Sequence, residues 1–176
     1  MTALDDIDDA EVSRHIYPLS AMMGDYLRAA AGLVPAALLL TTVPLGSAAE
    51  AVLGTFAAIF AIFGLRTLLR HGTSLEMTDS ELRAAGPWPS TIRWAELDRL
   101  KLAYYSTRRD RKVGWMQLKL GAAGAHLSLD SRLDGFDRVV RRAAAEAAAR
   151  EVALSDATVA NLEALGVRLG PGWRDA

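Results

Sequence analysis

The chain contains two apolar stretches, AAAGLVPAALLLTTVPL at residues 29–45 and AAEAVLGTFAAIFAIFGL at residues 48–65. A helix needs about 20 apolar residues to cross ~30 Å of hydrocarbon, and each stretch reaches this length with its flanking residues. Pro44 and Gly46 supply the turn between them. The pattern predicts a transmembrane helical hairpin over residues 25–70. A buried hairpin in a soluble helical domain is the alternative, but neither segment has the polar face that such helices show.

The distribution of basic residues predicts the orientation of this hairpin. Four arginines flank it: Arg14, Arg28, Arg66 and Arg70. The connection at residues 44–49 contains no Lys or Arg. Because Lys and Arg accumulate on the cytoplasmic side of a membrane, both termini of this multi-pass chain are predicted to be cytoplasmic. Glu50 is a candidate intramembrane acid, but its position one turn into the second helix favours a solvated side chain over a buried relay.

Small residues recur at helix-packing spacing within both apolar stretches. Gly32 precedes Ala36 by one turn, and Gly54 precedes Ala58 in the same way. Such pairs allow two helix backbones to approach closely. The pattern arises easily by chance in an alanine-rich segment, so we interpret it as the hairpin packing on itself rather than as a partner site.

The net charge of -1 conceals an uneven distribution of acids. Residues 1–24 are predicted to form a flexible acidic leader. Their acids are Asp5, Asp6, Asp8, Asp9 and Glu11. This run lacks the ordered glycine and distal glutamate of a calcium loop. The chain has no cysteine, and its three histidines, His15, His71 and His126, are far apart, so the sequence predicts no metal site and no cofactor.

The remaining sequence predicts an α+β domain. Residues 71–152 contain short runs of alternating polarity, which predict six strands, including a hairpin turned at residues 121–124. The strand at residues 97–105 is predicted to carry a bulge near Asp98 and Arg99. An amphipathic helix capped by Asp134 should follow and pack against the sheet. Its apolar positions are Phe136, Val139, Val140, Ala143 and Ala147. Residues 153–176 are predicted to be a short helix, capped by Ser155, and a tail. The fold class is a transmembrane hairpin followed by a small antiparallel β domain closed by a C-terminal helix.

Three segments carry a resemblance to a known family. LEMTDSEL at residues 75–82 resembles the first hairpin of the bacterial pleckstrin-homology-like membrane proteins, in which two transmembrane helices precede a small β-rich domain. IRWAEL at residues 92–97 is similar to that family's Ile-x-Trp-x-x-Ile segment, and LDGF at residues 133–136 resembles the entry to its closing helix. The resemblance covers residues 20–152 and implies a PH-like antiparallel barrel. A complete barrel has seven strands, whereas six are predicted here.

A basic loop is the sharpest charged feature of this domain. Its basic residues are Arg108, Arg109, Arg111 and Lys112. Tyr105 and Trp115 flank them. Beside an anionic leaflet, a basic residue near the surface contributes ~1 kcal/mol to binding. The six residues are therefore candidates for binding lipid or a protein partner, and a solvated hairpin tip is the alternative. Nucleic acid is not an expected partner, because a near-neutral chain with one basic loop lacks a basic face.

Catalytic signatures are missing from the sequence. It contains neither a phosphate loop nor a G-x-S-x-G elbow, so no enzyme is predicted. The leading hypothesis is a membrane-anchored PH-like interaction module or scaffold, such as an accessory subunit of a membrane protein complex. An uncovered edge strand would add a strand of the partner, which is another membrane protein or a second copy of the chain. The alternative is a module that senses anionic lipid headgroups through residues 108–112. Trp88 and Trp94 are interpreted as packing residues.

Overall fold

The computed structural model describes residues 12–106 and 114–167. The chain divides into two compact units. Residues Tyr17–Thr73 form one of them, here called the hairpin unit, and the chain on either side forms the other, here called the sheet unit. The apolar hairpin is thus inserted within the sheet unit along the chain.

The hairpin unit consists of two helices, α1 (Leu19–Thr42) and α2 (Ser47–His71). The helix α1 ends just before Pro44, and the intervening Val43 is extended, as expected for the residue before a proline. Both helices are long and apolar enough to cross a membrane. Only 11% and 6% of their apolar windows are buried, unlike the core helix of a soluble protein. These features indicate that the chain associates with a membrane.

Small residues line the contact between α1 and α2. A Cβ added to Gly32 would lie 2.3 Å from the ring of Phe60, and one added to Gly64 would lie 3.3 Å from Ala29. Gly32 therefore leaves the space that the phenylalanine ring fills, as predicted for a hairpin that packs on itself. Gly54 differs, since nothing lies within 4 Å of the corresponding position.

Two antiparallel sheets make up the strands of the sheet unit. The first has the order β1-β2-β3-β4, with strands Ser13–Ile16, Ser74–Met77, Glu81–Ala85 and Ser90–Arg93. The second has the order β5-β6-β7, with strands Leu97–Tyr105, Trp115–Ala122 and Ala125–Asp130. A 3-10 turn at Trp94–Glu96 joins them. The α+β class is confirmed, but no closed barrel is formed by the residues that the structure describes.

The strand β1 lies inside the segment predicted to be a flexible leader. It pairs with β2, with Ile16 opposite Ser74. Its buried His15 donates a hydrogen bond from Nδ1 to the carbonyl oxygen of Asp134 at 2.9 Å. The prediction of a flexible segment is therefore wrong at residues 13–16, because the pairing partner lies beyond the hairpin and leaves no local signal.

The helix α3 (Phe136–Ala149) packs against β5 and buries all five predicted apolar residues. The prediction that Asp134 caps this helix is wrong. Gly135, at φ 67°, occupies the cap position, so the cap has no side chain that could accept a hydrogen bond from the first turn. A Cβ at this position would lie 2.4 Å from the ring of His15. Glycine is required here both for the left-handed backbone and for the close approach of the histidine.

Ser155 caps the helix α4 (Asp156–Ala164), as predicted: its Oγ accepts a hydrogen bond from the backbone N–H of Thr158. It covers the free edge of β5. The Leu102 N–H donates to Thr158 Oγ1 at 3.4 Å, and Asn161 Nδ2 donates to the Leu102 carbonyl at 2.9 Å. These bonds replace those of a neighbouring strand, so the uncovered edge expected from the sequence is not found at this position.

Candidate functional site

The predicted basic loop, with Arg108, Arg109, Arg111 and Lys112, lies outside the described residues. Its two flanking aromatic residues are described, and they come together. Tyr105 and Trp115 are register partners on β5 and β6. Their rings stack with centroids 5.7 Å apart and an interplanar angle of 21°, and their side chains are 39% and 43% exposed. An aromatic pair open to its surroundings therefore marks the loop end of this sheet.

The alternation of residues along the strands builds one solvent-facing side of the β5-β6-β7 sheet, here called the outer face. Leu100, Leu118 and Leu129 are buried on the other side. The exposed side chains of the outer face are Arg99, Lys101, Tyr105, Trp115, Lys119, His126 and Ser128. A register shift between Leu97 and Arg99 confirms the bulge predicted at this point, and it places Arg99 on the outer face.

Positive charge dominates the outer face. Lys101 stands directly opposite Lys119, an arrangement that is destabilising in an isolated strand pair. Neither lysine, nor Arg99, forms an ion pair with the residues at 12–106 and 114–167. A nearby acid is Asp98, whose Oδ1 lies 3.0 Å from where a Cβ of Gly121 would be. Asp130, the register partner of Gln117 on the same face, is ion-paired with Arg132 at 3.2 Å. Asp98 is therefore the carboxylate that remains beside the three cations, and the face is basic.

A shallow cavity of about 370 Å³ opens on this face. Its polar lining comes from Arg99, Gln117, Lys119, His126 and Ser128. Gln117 Nε2 donates to Ser128 Oγ at 3.0 Å, which leaves the serine proton free to donate. The cavity therefore offers a guanidinium, an ammonium and a hydroxyl to one ligand, a combination that suits a phosphate or carboxylate group.

The sequence prediction missed this set because its members come from three strands. The sequence did contain a signal for it. In the alternating strands, the apolar positions predicted the core, and the polar positions between them form the outer face. Lys101 and Lys119 each lie between two leucines, and Arg99 lies between Asp98 and Leu100. Only the register between β5 and β6 shows that the three side chains share one end of the same face.

The three histidines lie in separate places in the structure. His15 is enclosed beside Asp134, His71 accepts or donates a 3.0 Å hydrogen bond with the Tyr26 hydroxyl, and His126 lies on the outer face. Within the described part of the chain, no group of three His, Cys, Asp or Glu residues could hold a metal ion.

The two tryptophans interpreted as packing residues differ. Trp94 is buried, and its Nε1 donates to the Thr78 carbonyl at 3.0 Å. Trp88 is 70% exposed between Pro87 and Pro89. Ser90, just beyond it, donates a hydrogen bond to the His126 carbonyl. The packing interpretation is thus confirmed for Trp94 and wrong for Trp88.

A second cavity of about 270 Å³ lies at the start of β1. Arg138 and Arg142 of α3 line it together with Asp79. The Arg142 guanidinium donates to the Asp79 carbonyl at 2.8 Å and pairs with Glu146 at 3.0 Å. Because carboxylates already compensate this arginine, it serves to tie α3 to the turn between β2 and β3.

Comparison with family models, with curated proteins and with solved structures found no match to this chain. The outer face brings together three basic side chains, Arg99, Lys101 and Lys119, that have no ion-pair partner among the described residues.

Proposed function

We propose that the chain is a non-enzymatic, membrane-anchored interaction module whose sheet unit is PH-like and cytoplasmic. The observation that carries this proposal is the pairing of β1 with β2 across the inserted hairpin. Both strands belong to one sheet, so the chain must enter and leave the hairpin on the same side of a membrane. This requirement agrees with the orientation predicted from the arginines and does not depend on them.

The strand count supports a PH-like domain. Seven strands, arranged as four and three, precede the amphipathic helix α3 in the described part of the chain. The sequence alone accounted for six, and β1 supplies the seventh. The hairpin would then occupy the first strand connection of the domain. The helix α3 packs against β5 and would be the closing helix of such a domain.

The connections between strands and helices are short. Residues 17–18 join β1 to α1, and residues 72–73 join α2 to β2. An extended residue spans at most ~3.6 Å, so two such connections keep the sheet unit within reach of lipid headgroups and of neighbouring membrane proteins. An accessory subunit of a bacterial inner-membrane complex, or a homo-oligomer, is the form of interaction we propose.

Cysteine labelling tests the topology, because the native chain has no cysteine to interfere. Ser47→Cys lies at the turn of the hairpin, and Ser80→Cys lies in the exposed turn between β2 and β3. In intact spheroplasts, a membrane-impermeant maleimide should label residue 47 and not residue 80. Lysis should make residue 80 reactive. Labelling of residue 80 before lysis would refute a cytoplasmic sheet unit.

Partner capture tests the interaction. The full chain should be extracted in mild detergent and its size measured together with the identity of any companion. A stable companion protein or a defined oligomer is expected. Recovery of the monomer alone, at concentrations where it remains folded, would contradict the accessory-subunit proposal.

The alternative function is the sensing of anionic lipid headgroups through the basic loop. The stacked, exposed pair of Tyr105 and Trp115 favours it, because amphipathic rings are stable at a membrane interface. The test replaces Arg108, Arg109, Arg111 and Lys112 by glutamine and measures phosphatidylglycerol binding. The full chain is needed, because a fragment beginning at residue 71 would lack β1. Unchanged binding would refute a role for the loop.

A further inference from the structure

We propose that the outer face binds the phosphate headgroup of an anionic phospholipid in the cavity between Arg99, Lys119 and Ser128. This site lies on described strands and is separate from the predicted basic loop. It rests on the proposed membrane anchoring of the chain and adds a specific ligand to it.

The clustered positive charge of the outer face favours binding of an anion. Lys101 and Lys119 are directly opposed, and Arg99 lies two positions before Lys101 on the same face of β5. Fold stability does not explain this cluster, because like charges at opposed positions repel. The residues at 12–106 and 114–167 supply no ion-pair partner to any of the three. A bound phosphate would relieve the repulsion.

The donors and the size of the cavity fit one headgroup. A cavity of about 370 Å³ lies in the usual range for small-ligand sites. Arg99 can donate two hydrogen bonds in a fork, and Lys119 adds a point charge. The Ser128 hydroxyl can donate a further bond, since its oxygen already accepts one from Gln117. Asp98, beside Gly121, lowers the local positive charge, so the site suits a monoanionic phosphodiester better than a polyphosphate.

Lipid, rather than a soluble phosphate, is favoured by connectivity. Two connections of two residues each join the sheet unit to helices that can cross a membrane. Tethering of this kind turns headgroup binding into an intramolecular event with a high effective concentration. The exposed Tyr105 and Trp115 belong to the same outer face, and such rings partition into the interface.

The test uses the full chain in detergent and measures bound lipid by native mass spectrometry. The probes are dihexanoyl-phosphatidylglycerol and, as the zwitterionic reference, dihexanoyl-phosphatidylcholine. The double variant Arg99→Gln with Lys119→Gln should bind phosphatidylglycerol roughly tenfold or more weakly, with phosphatidylcholine binding unchanged. Ser128→Asp removes no basic side chain and places a carboxylate in the cavity, so it should cause a comparable loss.

A matched control removes the same charge elsewhere. Arg83→Gln with Arg93→Gln alters two exposed arginines of the four-stranded sheet and should leave phosphatidylglycerol binding intact. Equal binding by the control and by both site variants would overturn the proposal. So would a loss seen only when residues 108, 109, 111 and 112 are neutralised. If inorganic phosphate at equal concentration displaced the lipid, the ligand of this site would be free phosphate, and the lipid proposal would be wrong. None of these results bears on the cysteine-labelling test, so failure of the lipid site and failure of the membrane topology are distinguishable.

Discussion

The two units of this protein place the same kinds of side chain in opposite positions. In the sheet unit, Leu75, Leu82 and Ile92 are completely buried. In the hairpin unit, Val52 and Ile59 are 65% and 57% exposed. Each buried aliphatic side chain gains about 1.5–3 kcal/mol when it leaves water. The outward side chains of the hairpin obtain this gain only if something apolar covers them, and extensive exposed apolar surface marks a contact with a membrane or a partner. Lipid is the covering that two helices of membrane-spanning length imply.

Removal of the largest buried side chain should reveal the sheet unit as the part that folds against water. Trp94→Ala deletes a buried indole and its hydrogen bond to Thr78 and should lower the free energy of unfolding by about 3–5 kcal/mol. The measurement is urea unfolding of the detergent-solubilised full chain, followed by near-ultraviolet circular dichroism. Trp88→Ala, at an exposed position, is the control and should change stability by about 0.5 kcal/mol or less. Equal losses would contradict the assigned core.

A charge on the outside of α2 should distinguish lipid from water around the hairpin. Ile59→Asp introduces a carboxylate near the helix centre and should cost about 3 kcal/mol in membrane insertion. The fraction of protein in the membrane pellet is the measurement, and Ile59→Leu is the conservative control. If water surrounded this helix, the aspartate would be harmless and would improve solubility. Recovery of the aspartate variant as a soluble, folded protein would therefore refute the membrane assignment.

A substitution at the cap of α3 tests how the segment before the hairpin is held in the sheet unit. Gly135→Ala combines a left-handed φ with a collision against the His15 ring, and should destabilise the unit by about 2 kcal/mol. Gly124→Ala, at φ 85° with nothing within 4 Å, isolates the backbone cost of the left-handed conformation, which is about 1 kcal/mol. Adding His15→Ala to Gly135→Ala should recover part of the difference between the two melting temperatures. No recovery would mean that β1 is not held there.

The smallest effect is expected where α4 covers the edge of β5. Asn161→Ala removes the donor to the Leu102 carbonyl and should cost about 1 kcal/mol. Asn161→Asp keeps the size but presents an oxygen to that carbonyl, so it should lower the melting temperature further. If both variants melted like the unaltered protein, α4 would not protect this edge.

Local patterns predicted several elements correctly. The bulge near Arg99, the apolar stripe of α3 and the Ser155 cap of α4 all have their determinants within one or two turns of chain. The prediction of Asp134 as the cap failed because Gly135 itself occupies the cap position with a left-handed backbone, and the His15 ring, which is distant in sequence, packs against it. Prediction of the candidate site was incomplete for a related reason. Tyr105 and Trp115 flank the basic loop, which is visible as one run of sequence. Arg99 and Lys119 lie on different strands, and only the pairing register of β5 and β6 brings them together.

The sequence by itself determined two apolar helices, the α+β class of the domain beyond them, and the period-two alternation that separates a core from an outer face. These properties depend on composition and on spacing within single elements. The tertiary structure decided that residues 13–16 belong to the sheet unit, that α4 covers the β5 edge, and that Arg99 and Lys119 line one cavity without an ion-pair partner in the described chain. Each of these depends on pairing between strands or helices that are distant along the chain, and a pattern within one segment carries no information about its partner.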